Sequence, residues 1–339
     1  MSGRARGPFA FSLRGILWLA SFAYRFAIWR RNRKFDHDSR AIVDCGVPVI
    51  SVGNLTTGGT GKTPVVCLLA KYIRDRGIRV ALVSRGYGRG ESDHNDEAEE
   101  LHQRLPDVPH LQDPDRVASA NIAVEELGSQ VILMDDGFQH RRLARKLDLV
   151  VVDATCPFGF GHLLPRGLLR EPVSGLRRAD AVLISRCDQV ETETLDEIEA
   201  VLSKHNQDAP VLRSIHAPLG LLDDVGKTQP IEDVRGRRVI AFCGIGNPDA
   251  FRRTVESTGA TVVEMKSFPD HAEYDRERIE SLAAWARSAP DIDYVVCTHK
   301  DLVKIRRDRL GGVALRAVMI EMKVEDLGPL LPLIDAVLP

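Results

Sequence analysis

Residues 47–64 read VPVISVGNLTTGGTGKTP, and this stretch decides the fold of the 339-residue chain. Its first six residues form a short apolar run that ends at Gly53, which is typical of a buried parallel strand. A glycine-rich turn follows, and residues 64–76 then continue with apolar side chains at helical spacing. A strand, a glycine-rich loop and a helix in this order are the setting of a phosphate-binding P-loop.

The loop from Thr57 to Thr63 is predicted to bind a nucleotide. Glycines allow backbone N–H groups to turn towards phosphate oxygens, and the N-terminus of the following helix adds a partial positive charge. Lys62 is expected to act on the outer phosphates, and the Thr63 hydroxyl is expected to hold Mg²⁺. The strict motif has a glycine where this chain has Thr56. The residues predicted to contact the nucleotide are Thr57, Gly58, Gly59, Thr60, Gly61, Lys62 and Thr63.

Further apolar runs predict strands at residues 80–84, 130–134, 147–152 and 181–185. Because helical stretches separate these strands, the chain is predicted to have an α/β fold with a P-loop NTPase-like, doubly wound and mostly parallel sheet. Asp135 and Asp136 follow one of the strands, and acidic residues at the carboxyl end of a strand are the Walker B arrangement that holds Mg²⁺. Both are predicted to be catalytic and metal-binding residues. The alternative is that this pair caps the next helix.

A polar, turn-rich segment at about residues 217–238 indicates a domain boundary. Three apolar runs beyond it predict a second, smaller α/β domain, and they lie at residues 239–243, 261–265 and 294–297. The turn Gly244-Ile245-Gly246 is interpreted as a tight turn rather than a second phosphate site. The predicted division is an N-terminal helix within residues 1–40, a P-loop domain at 41–222 and a lid-like domain at 223–339.

The segment Thr298-His299-Lys300-Asp301 follows the last of these runs. It is similar to the base-reading loop of GTPases, although lysine and aspartate are adjacent here. Lys300 and Asp301 are therefore predicted to bind the nucleotide, and the alternative for Asp301 is that it caps the next helix. The smaller domain is expected to close over the nucleotide and the substrate and to exclude water.

The N-terminal arm has a composition of its own. Residues 1–35 contain eight of the 46 Lys and Arg residues and none of the 48 Asp and Glu residues, so the remainder carries 38 basic and 48 acidic residues. Residues 9–30 predict a helix with a wide apolar face and one narrow polar stripe. The stripe consists of Arg14, Ser21, Arg25 and Asn32.

The arm is predicted to lie in a membrane surface. Its longest uncharged stretch, residues 15–24, is short of the about 20 residues that span a bilayer. Its Trp and Tyr side chains favour the water–lipid boundary, and its basic residues are attracted to anionic lipid. The alternatives are a helix that packs on the body of the protein and a secretory signal peptide.

The overall composition excludes several other classes of protein. With 44% hydrophobic and 28% charged residues the chain is typical of folded proteins. Its six cysteines contain no C-x-x-C pair, so neither a zinc site nor a disulfide framework is predicted. The acidic body does not favour nucleic-acid binding, and no obligate protein partner is predicted.

Seven segments in order resemble the tetraacyldisaccharide 4′-kinase family, the lipid A 4′-kinases. They are residues 51–64, 84–89 (SRGYGR), 135–140 (DDGFQH), 164–172 (LPRGLLREP), 244–248 (GIGNP), 268–271 (FPDH) and 298–301 (THKD). The resemblance runs from about residue 12 to residue 305. It explains Thr56, because the loop of this family also has threonine at that position.

The resemblance implies a lipid kinase that uses ATP and Mg²⁺. The reaction would transfer the γ-phosphate of ATP to the 4′-hydroxyl of a tetraacylated glucosamine disaccharide 1-phosphate. The enzyme would act at the cytosolic face of the bacterial inner membrane, with the N-terminal helix on the membrane surface. A P-loop GTPase or a metallochaperone-like nucleotide-binding protein is the alternative from another class, and a kinase of another small molecule is a third reading.

The resemblance also implies roles for individual residues. An aspartate in a G-D-E-[PA] segment is the general base of the family, and the nearest match here is Asn95-Asp96-Glu97-Ala98. Asp96 is therefore the predicted base. Asn95 stands in place of the usual glycine and the preceding segment is shortened, so the alternative is that Asp96 is an ordinary surface acid.

Lys62 is predicted to be catalytic through its action on phosphate charge, as in any P-loop of this kind. The remaining residues are assigned by resemblance alone, with Arg170 implied as a catalytic residue that acts on phosphate charge, Glu171 as a metal ligand, and His271 as a catalytic residue near the acceptor or the γ-phosphate. For Arg170, Glu171 and His271 a structural or inert role is the alternative. The implied substrate contacts are Arg85, Tyr87, Gln139 and His140.

Overall fold

The computed structural model describes residues 7–86, 96–270 and 272–339, and for residues 96–99 it describes the backbone only. The chain forms two compact units. The first contains Met1–Gly86, Leu105–Ile215 and Val324–Pro339, and the second contains Tyr87–Arg104 and His216–Lys323. The helix that begins at Asp96 lies in the second unit, and residues 324–339 lie in the first. The predicted division into residues 1–40, 41–222 and 223–339 stays a prediction.

The first unit is built on a parallel sheet. Its strands are β1 Val49–Asn54, β2 Val80–Ser84, β3 His110–Gln112, β4 Val131–Asp135, β5 Leu147–Asp153, β6 Ala181–Ser185 and the first residues of β7 Val211–Leu222. Their order in space is β7-β6-β5-β1-β4-β2-β3. All six pairings are parallel. The carboxyl ends of the strands therefore meet at one edge of the sheet, where ligands bind in open α/β folds.

Among the described residues of the first unit, five segments form α-helices. They are α1 Pro8–His37, α2 Lys62–Arg74, α4 Arg116–Glu125, α5 Thr192–His205 and the short α9 Leu331–Asp335. Strands β1, β4, β5 and β6 are buried along their whole length. This explains why they appear in the sequence as continuous apolar runs rather than alternating ones.

Helix α1 is longer than predicted, and it presents an unexpected face to the protein. Its buried and partly buried positions recur mostly with a spacing of three and four, and they are Ala10, Arg14, Leu17, Ser21, Tyr24, Ile28, Arg31, Asn32 and Phe35. Most of its large apolar side chains remain exposed, namely Phe9, Phe11, Leu13, Ile16, Trp18, Leu19, Phe22, Phe26 and Trp29. Three members of the predicted polar stripe, Arg14, Ser21 and Asn32, therefore lie on the docked side, so the stripe is not the solvent-facing side of α1. Among the described helices, none has the length and hydropathy to cross a membrane.

The second unit has its own sheet, in the order β10-β9-β11-β13-β7. Its strands are the second half of β7, β8 Thr228–Pro230, β9 Arg238–Cys243, β10 Thr261–Ser267, β11 Tyr294–Thr298, β12 Arg309–Leu310 and β13 Val313–Val324. Strands β8 and β12 pair antiparallel with β7 and β13, whereas β9, β10, β11 and β13 are parallel. Its helices are α3 Asp96–Arg104, α6 Pro248–Ser257, α7 Arg276–Ser288 and α8 His299–Ile305.

The predicted α/β fold with a mostly parallel sheet and a smaller α/β unit is confirmed, but two long strands were missed. Residues 217–222, interpreted from sequence as the start of a turn-rich linker, lie within β7. Gly220 permits the close approach of β8, because a Cβ atom there would lie 2.9 Å from the carbonyl oxygen of Gln229. Pro218 and Gly220 gave this stretch the composition of a linker, although it pairs as a strand.

Candidate active site

The phosphate-binding loop lies between β1 and α2, as the sequence predicts. Helix α2 begins at Lys62, and Gly61 at its N-cap is left-handed with φ at 89°. Gly58 also has positive φ, at 106°. Glycine adopts these angles without the steric cost that a side chain would bring.

A second segment, residues 164–170, holds the start of the loop. Thr57 donates its backbone N–H to the carbonyl of Leu168 at 2.8 Å, and Arg170 donates its own to the carbonyl of Leu55 at 2.7 Å. Thr56 is buried and forms an antiparallel bridge with Leu169. Because Thr56 sits in extended pairing rather than in the turn, this position does not need glycine.

The end of β6 fixes two carbonyl groups of the loop. The Ser185 hydroxyl donates to the carbonyl of Thr60 at 2.8 Å, and Arg186 Nη2 donates to the carbonyl of Gly59 at 2.9 Å. Arg186 also forms a buried ion pair with Asp153 at the end of β5. No motif in the sequence pointed to Ser185 or Arg186, because both act across more than 120 residues of chain.

Lys62, Asp136 and Arg170 come together at the loop. Lys62 Nζ lies 3.3 Å from Asp136 Oδ1. Arg170 binds the same carboxylate with both terminal nitrogens, at 2.7 and 2.8 Å. Burial by itself would raise the pKa of Asp136, but the charges of Lys62 and Arg170 outweigh it and hold this pKa well below its usual range. The carboxylate is therefore ionised at neutral pH and keeps two cations beside the loop.

Asn54 connects these groups, although no role was predicted for it from the sequence. Its Nδ2 donates to Thr60 Oγ1 at 2.8 Å, and its Oδ1 accepts from Arg170. Its backbone carbonyl accepts from Gln139 Nε2 at 2.8 Å and from Arg170 Nη2 at 3.1 Å. The side chain is fully buried at the last position of β1. Asn54 thus ties the loop to the residues that follow β4 and to Arg170.

Oxygen donors suited to Mg²⁺ lie at the same edge of the sheet. Asp135 ends β4 and is in register with Val52 of β1, two residues before Asn54. Thr63 lies in the first turn of α2. Within the described ranges, no three His, Cys, Asp or Glu side chains cluster as a metal cage. This donor set fits Mg²⁺, which usually takes one or two protein carboxylates together with phosphate oxygens and water.

Glu171 has a different environment from the one expected of a metal ligand. It is fully buried, its Oε1 accepts from Gln139 Nε2 at 2.8 Å, and its Oε2 pairs with Arg178 Nη2 at 2.7 Å. Arg178 also stacks on the ring of Phe138, 4.5 Å from the centroid. These contacts favour a structural role for Glu171, and metal binding by this residue stays a prediction. Gln139 shares this network.

His140 and Arg85 complete the predicted residues near this edge of the sheet. His140 lies in the turn after β4. Its pKa is lowered to about 4, mainly by burial and to a smaller extent by the positive charge of the nearby Arg116. Its imidazole is therefore neutral at physiological pH. Arg85 is exposed directly after β2. Both substrate contacts stay predictions.

In the second unit, Asp301 is an internal group. It is fully buried and accepts from the backbone N–H of Gly244 at 3.1 and 3.2 Å, from the Tyr274 hydroxyl at 2.8 Å and from the Thr298 hydroxyl at 2.6 Å. These contacts do not support the predicted role of Asp301 in contacting the nucleotide base. They favour a structural role, in which Asp301 holds the turn at Gly244. The cap of α8 is Thr298, whose side chain accepts from the backbone N–H of Asp301.

Lys300 forms an ion pair with Asp270 at 3.3 Å. Its predicted contact with the nucleotide stays a prediction. Three further predicted residues cannot be placed in a site. Tyr87 and His271 lie outside the described residues, and for Asp96 only the backbone is described, as the first residue of α3.

The parallel sheet, the loop with Lys62 and the acidic strand end define a P-loop nucleotide-binding protein of the phosphotransferase type. Comparison with known proteins gives the family. The model of the family "LpxK: Tetraacyldisaccharide-1-P 4′-kinase" matches residues 13–338. The chain belongs to this family.

Individual relatives agree with the family. The chain is 40% identical over 337 residues to a tetraacyldisaccharide 4′-kinase of Anaeromyxobacter dehalogenans strain 2CP-C, covering 94% of this chain and 89% of the relative. It is 37% identical to the Geobacter metallireducens protein of the same name, covering 95% and 98%. A crystal structure of LpxK from Aquifex aeolicus in complex with ATP is similar with a TM-score of 0.75 and 31% identity, covering 96% of this chain and all of that one. The resemblance inferred from the motifs is thereby confirmed.

Proposed function

We propose that this protein transfers the γ-phosphate of ATP to the 4′-hydroxyl of a tetraacyldisaccharide 1-phosphate, a step of lipid A synthesis. The observation that carries the proposal is the family match over residues 13–338, which includes the whole P-loop. The GTPase alternative is not favoured, because Asp301 is engaged inside the second unit.

The residues at the loop support phosphoryl transfer by positioning and charge. The carbonyls of Gly59 and Thr60 are held by Arg186 and Ser185, so these two peptide groups have fixed orientations. Lys62 and Arg170 converge on Asp136, which keeps both cations at the place where phosphate oxygens are expected. Such fixed charges stabilise the negative charge on the phosphoryl group being transferred.

Thr63 and Asp135 are the residues that we propose hold Mg²⁺. The bound ion would neutralise phosphate charge. Asp136 forms ion pairs with Lys62 and Arg170. In this proposal its main role is therefore to hold those two cations, and Asp135 is the main carboxylate ligand of the metal.

Asp96 is the proposed general base, and it rests on the resemblance of its segment to the family motif. A base at this position would accept the proton of the sugar hydroxyl as the phosphoryl group is transferred. His271, Arg85, Tyr87, Gln139 and His140 are proposed to act near the acceptor on the same ground.

We propose that helix α1 holds the enzyme on the cytosolic face of the bacterial inner membrane. Nine large apolar side chains of α1 are exposed, among them Phe22 at 49%, Phe26 at 61% and Trp29 at 51%. A helix that packed on the protein as an ordinary amphipathic helix would bury this face. An apolar face rimmed by basic residues favours the boundary of an anionic bilayer, where the lipid acceptor resides.

The test of the proposed reaction is an assay with Mg²⁺, labelled ATP and tetraacyldisaccharide 1-phosphate in mixed micelles. A labelled bisphosphate lipid is expected, and the Lys62→Ala variant is expected to lose this product. GTP in place of ATP serves as the nucleotide control. If the wild-type protein binds ATP but forms no labelled lipid, or if it prefers GTP, the proposed reaction is wrong.

A further inference from the structure

Four arginines meet where α1 contacts the segment after Arg170, and we refer to them as the arginine cluster. They are Arg31 on α1, Arg141 after β4, and Arg177 and Arg178 before β6. Arg141 lies 2.8 Å and Arg177 lies 3.9 Å from Asp36 of α1. Arg178 lies 2.7 Å from Glu171.

The arginine cluster carries more positive charge than its neighbours neutralise. Four guanidinium groups share two carboxylates, those of Asp36 and Glu171. The nearby Arg145 is paired with its own carboxylate, Asp148, at 3.2 Å. An uncompensated cation in a partly buried site is unfavourable unless an anion joins it.

Arg31 is the member with unmet hydrogen-bonding capacity. Within the described part of the chain, its Nε and Nη2 atoms are buried and have no hydrogen-bond partner. Arg178 Nε is in the same state. Buried guanidinium N–H groups are nearly always paired, and their planar fork matches the oxygens of a phosphate group. Burial lowers the pKa of Arg31, and Glu171 opposes this effect only in part.

The position of the arginine cluster connects it with lipid and with the active site. Arg31 lies on the docked side of the helix whose other side exposes Phe22, Phe26 and Trp29. Tyr24 lies on the same side of α1, and its hydroxyl donates a hydrogen bond to the carbonyl of Arg170 at 2.9 Å. Arg177 is 66% exposed, so the arginine cluster is open to solvent on one side.

We propose that the arginine cluster binds a phosphate group carried by a lipid, with Arg31 as the principal ligand. Two lipids offer this chemistry, namely the acceptor through its 1-phosphate and an anionic phospholipid through its headgroup. The assignment to the acceptor rests on the proposed kinase function. In both cases the oxygens of the phosphate group would pair with the Arg31 and Arg178 donors that have no hydrogen-bond partner among the described residues.

The variants for the test are Arg31→Gln, Arg31→Lys and Arg177→Ala, with Arg30→Ala as the matched control. Arg30 is exposed and adjacent on the same helix, so its loss removes the same charge without touching the arginine cluster. The KM values for ATP and for the lipid are measured in neutral detergent micelles. Two acceptors are compared, tetraacyldisaccharide 1-phosphate and the same disaccharide with a free 1-hydroxyl.

If the ligand is the 1-phosphate, the wild-type enzyme prefers the 1-phosphate acceptor, and Arg31→Gln loses about tenfold or more of this preference. The KM for ATP and the melting temperature stay near wild type, a separation that a purely structural role would not produce. Arg31→Lys is expected to recover part of the preference, and Arg177→Ala is expected to lose a smaller part.

If the ligand is a phospholipid headgroup, Arg31→Gln keeps the acceptor preference but loses binding to vesicles with anionic phospholipid, and it loses more than Arg30→Ala does. Equal behaviour of Arg31→Gln and Arg30→Ala in both experiments overturns the proposal. The vesicle experiment does not require catalysis. A wild-type protein that forms no bisphosphate would therefore disprove the kinase function and leave the arginine cluster testable.

Discussion

Arg186 adopts a left-handed backbone conformation, with φ at 59°, directly after the end of β6. A non-glycine residue in this region is strained by about 1 kcal/mol or more, and such strain persists where surrounding contacts fix it. The contacts here are the ion pair with Asp153 and the hydrogen bond to the carbonyl of Gly59. Ser185 fixes the next carbonyl, and because a trans peptide directs its C=O and N–H to opposite sides, the N–H of Gly61 points away from Ser185.

Arg186→Ala is expected to weaken ATP binding about tenfold, because the loop then has to be ordered by the nucleotide itself. Isothermal calorimetry with ATP and with ADP measures the change. Arg213→Ala is the control, since Arg213 forms ion pairs with Glu199 and Asp196 in the same unit away from the loop. An unchanged dissociation constant in a folded Arg186→Ala variant would contradict the positioning role.

Asp96→Asn is expected to lower kcat by about a hundredfold or more and to leave the ATP affinity within about twofold, as expected for loss of a general base. Glu99→Gln, a neighbouring acid in the same helix, serves as the control. Steady-state kinetics combined with ATP binding gives both numbers. Near-normal turnover of Asp96→Asn would place the base at another residue.

His110 predicts a dependence of stability on pH. Burial lowers the pKa of His110 to about 4, whereas in the unfolded chain it is close to 6.5. The folded state therefore favours the neutral imidazole, and this contribution is complete above pH 6.5 and is lost as the pH falls towards 4. The loss at pH 4 is up to about 3 kcal/mol.

The measurement is the melting temperature of the wild type and of His110→Gln between pH 7.5 and pH 5. Glutamine can keep a hydrogen bond to Ser84, which the imidazole Nε2 contacts at 2.9 Å. Burial raises the pKa of Asp148 to about 6, which gives the opposite slope, so the two proteins are compared at each pH. A difference that does not change with pH would show that His110 does not titrate in this range.

At the scale of elements, α1 has one side that packs on the protein and one side that exposes apolar residues, and the proposed membrane role rests on this difference. One side of the helix is docked through Tyr24, Ile28 and Arg31, with the carbonyl of Asn32 accepting from Arg141 at 3.1 Å. The opposite side exposes aromatic rings, of which Phe26 and Trp29 are stacked with centroids 5.8 Å apart. The docked side fixes the helix on the first unit and leaves the apolar side exposed, as the proposed membrane attachment requires.

The triple variant Phe22→Ser, Phe26→Ser, Trp29→Ser is expected to lose binding to lipid vesicles by at least about a hundredfold, because each buried aromatic side chain contributes about 1.5–3 kcal/mol. Sedimentation with vesicles measures the binding. Val225→Ser removes an exposed apolar residue of the second unit, 81% exposed, and serves as the control. Retained binding of the triple variant would refute the role of this side of the helix.

At the scale of the whole molecule, charge is unevenly distributed along the chain. The first 35 residues carry eight positive charges, whereas the remainder has ten more acidic than basic residues. An anionic surface attracts the arm and repels the body, so electrostatics favours a membrane-bound state in which the arm faces the lipid.

This distribution predicts that binding to anionic vesicles weakens when the ionic strength rises from about 0.05 M to about 0.5 M, because the screening length falls below about 5 Å. Binding to neutral vesicles is expected to be weaker and almost independent of salt, since it depends on apolar burial. Vesicle sedimentation across a salt series measures both. Salt-independent binding to anionic vesicles would mean that the charge of the arm contributes nothing.

Features that local chemistry encodes could be predicted from the amino-acid sequence. A run of apolar residues before a glycine-rich turn produced β1, the loop and α2 nearly where predicted, and Asp135 stands at the end of β4. These features depend on neighbouring residues alone, through periodicity and backbone freedom. The wide apolar face of α1 was also predicted from the sequence, and the order of seven motifs identified the family.

The side chains that hold the phosphate-binding loop could not be predicted from the sequence, because long-range contacts bring them to it. Arg186 reaches Gly59 across 127 residues, and Arg170 reaches Asn54 across 116. Contacts of this range follow from strand order, which brings the ends of β1, β4, β5 and β6 to one edge. Tertiary packing also gives Asp301 and Glu171 internal partners that the sequence did not reveal, while their predicted ligand roles stay predictions, and it determines which side of α1 faces the protein.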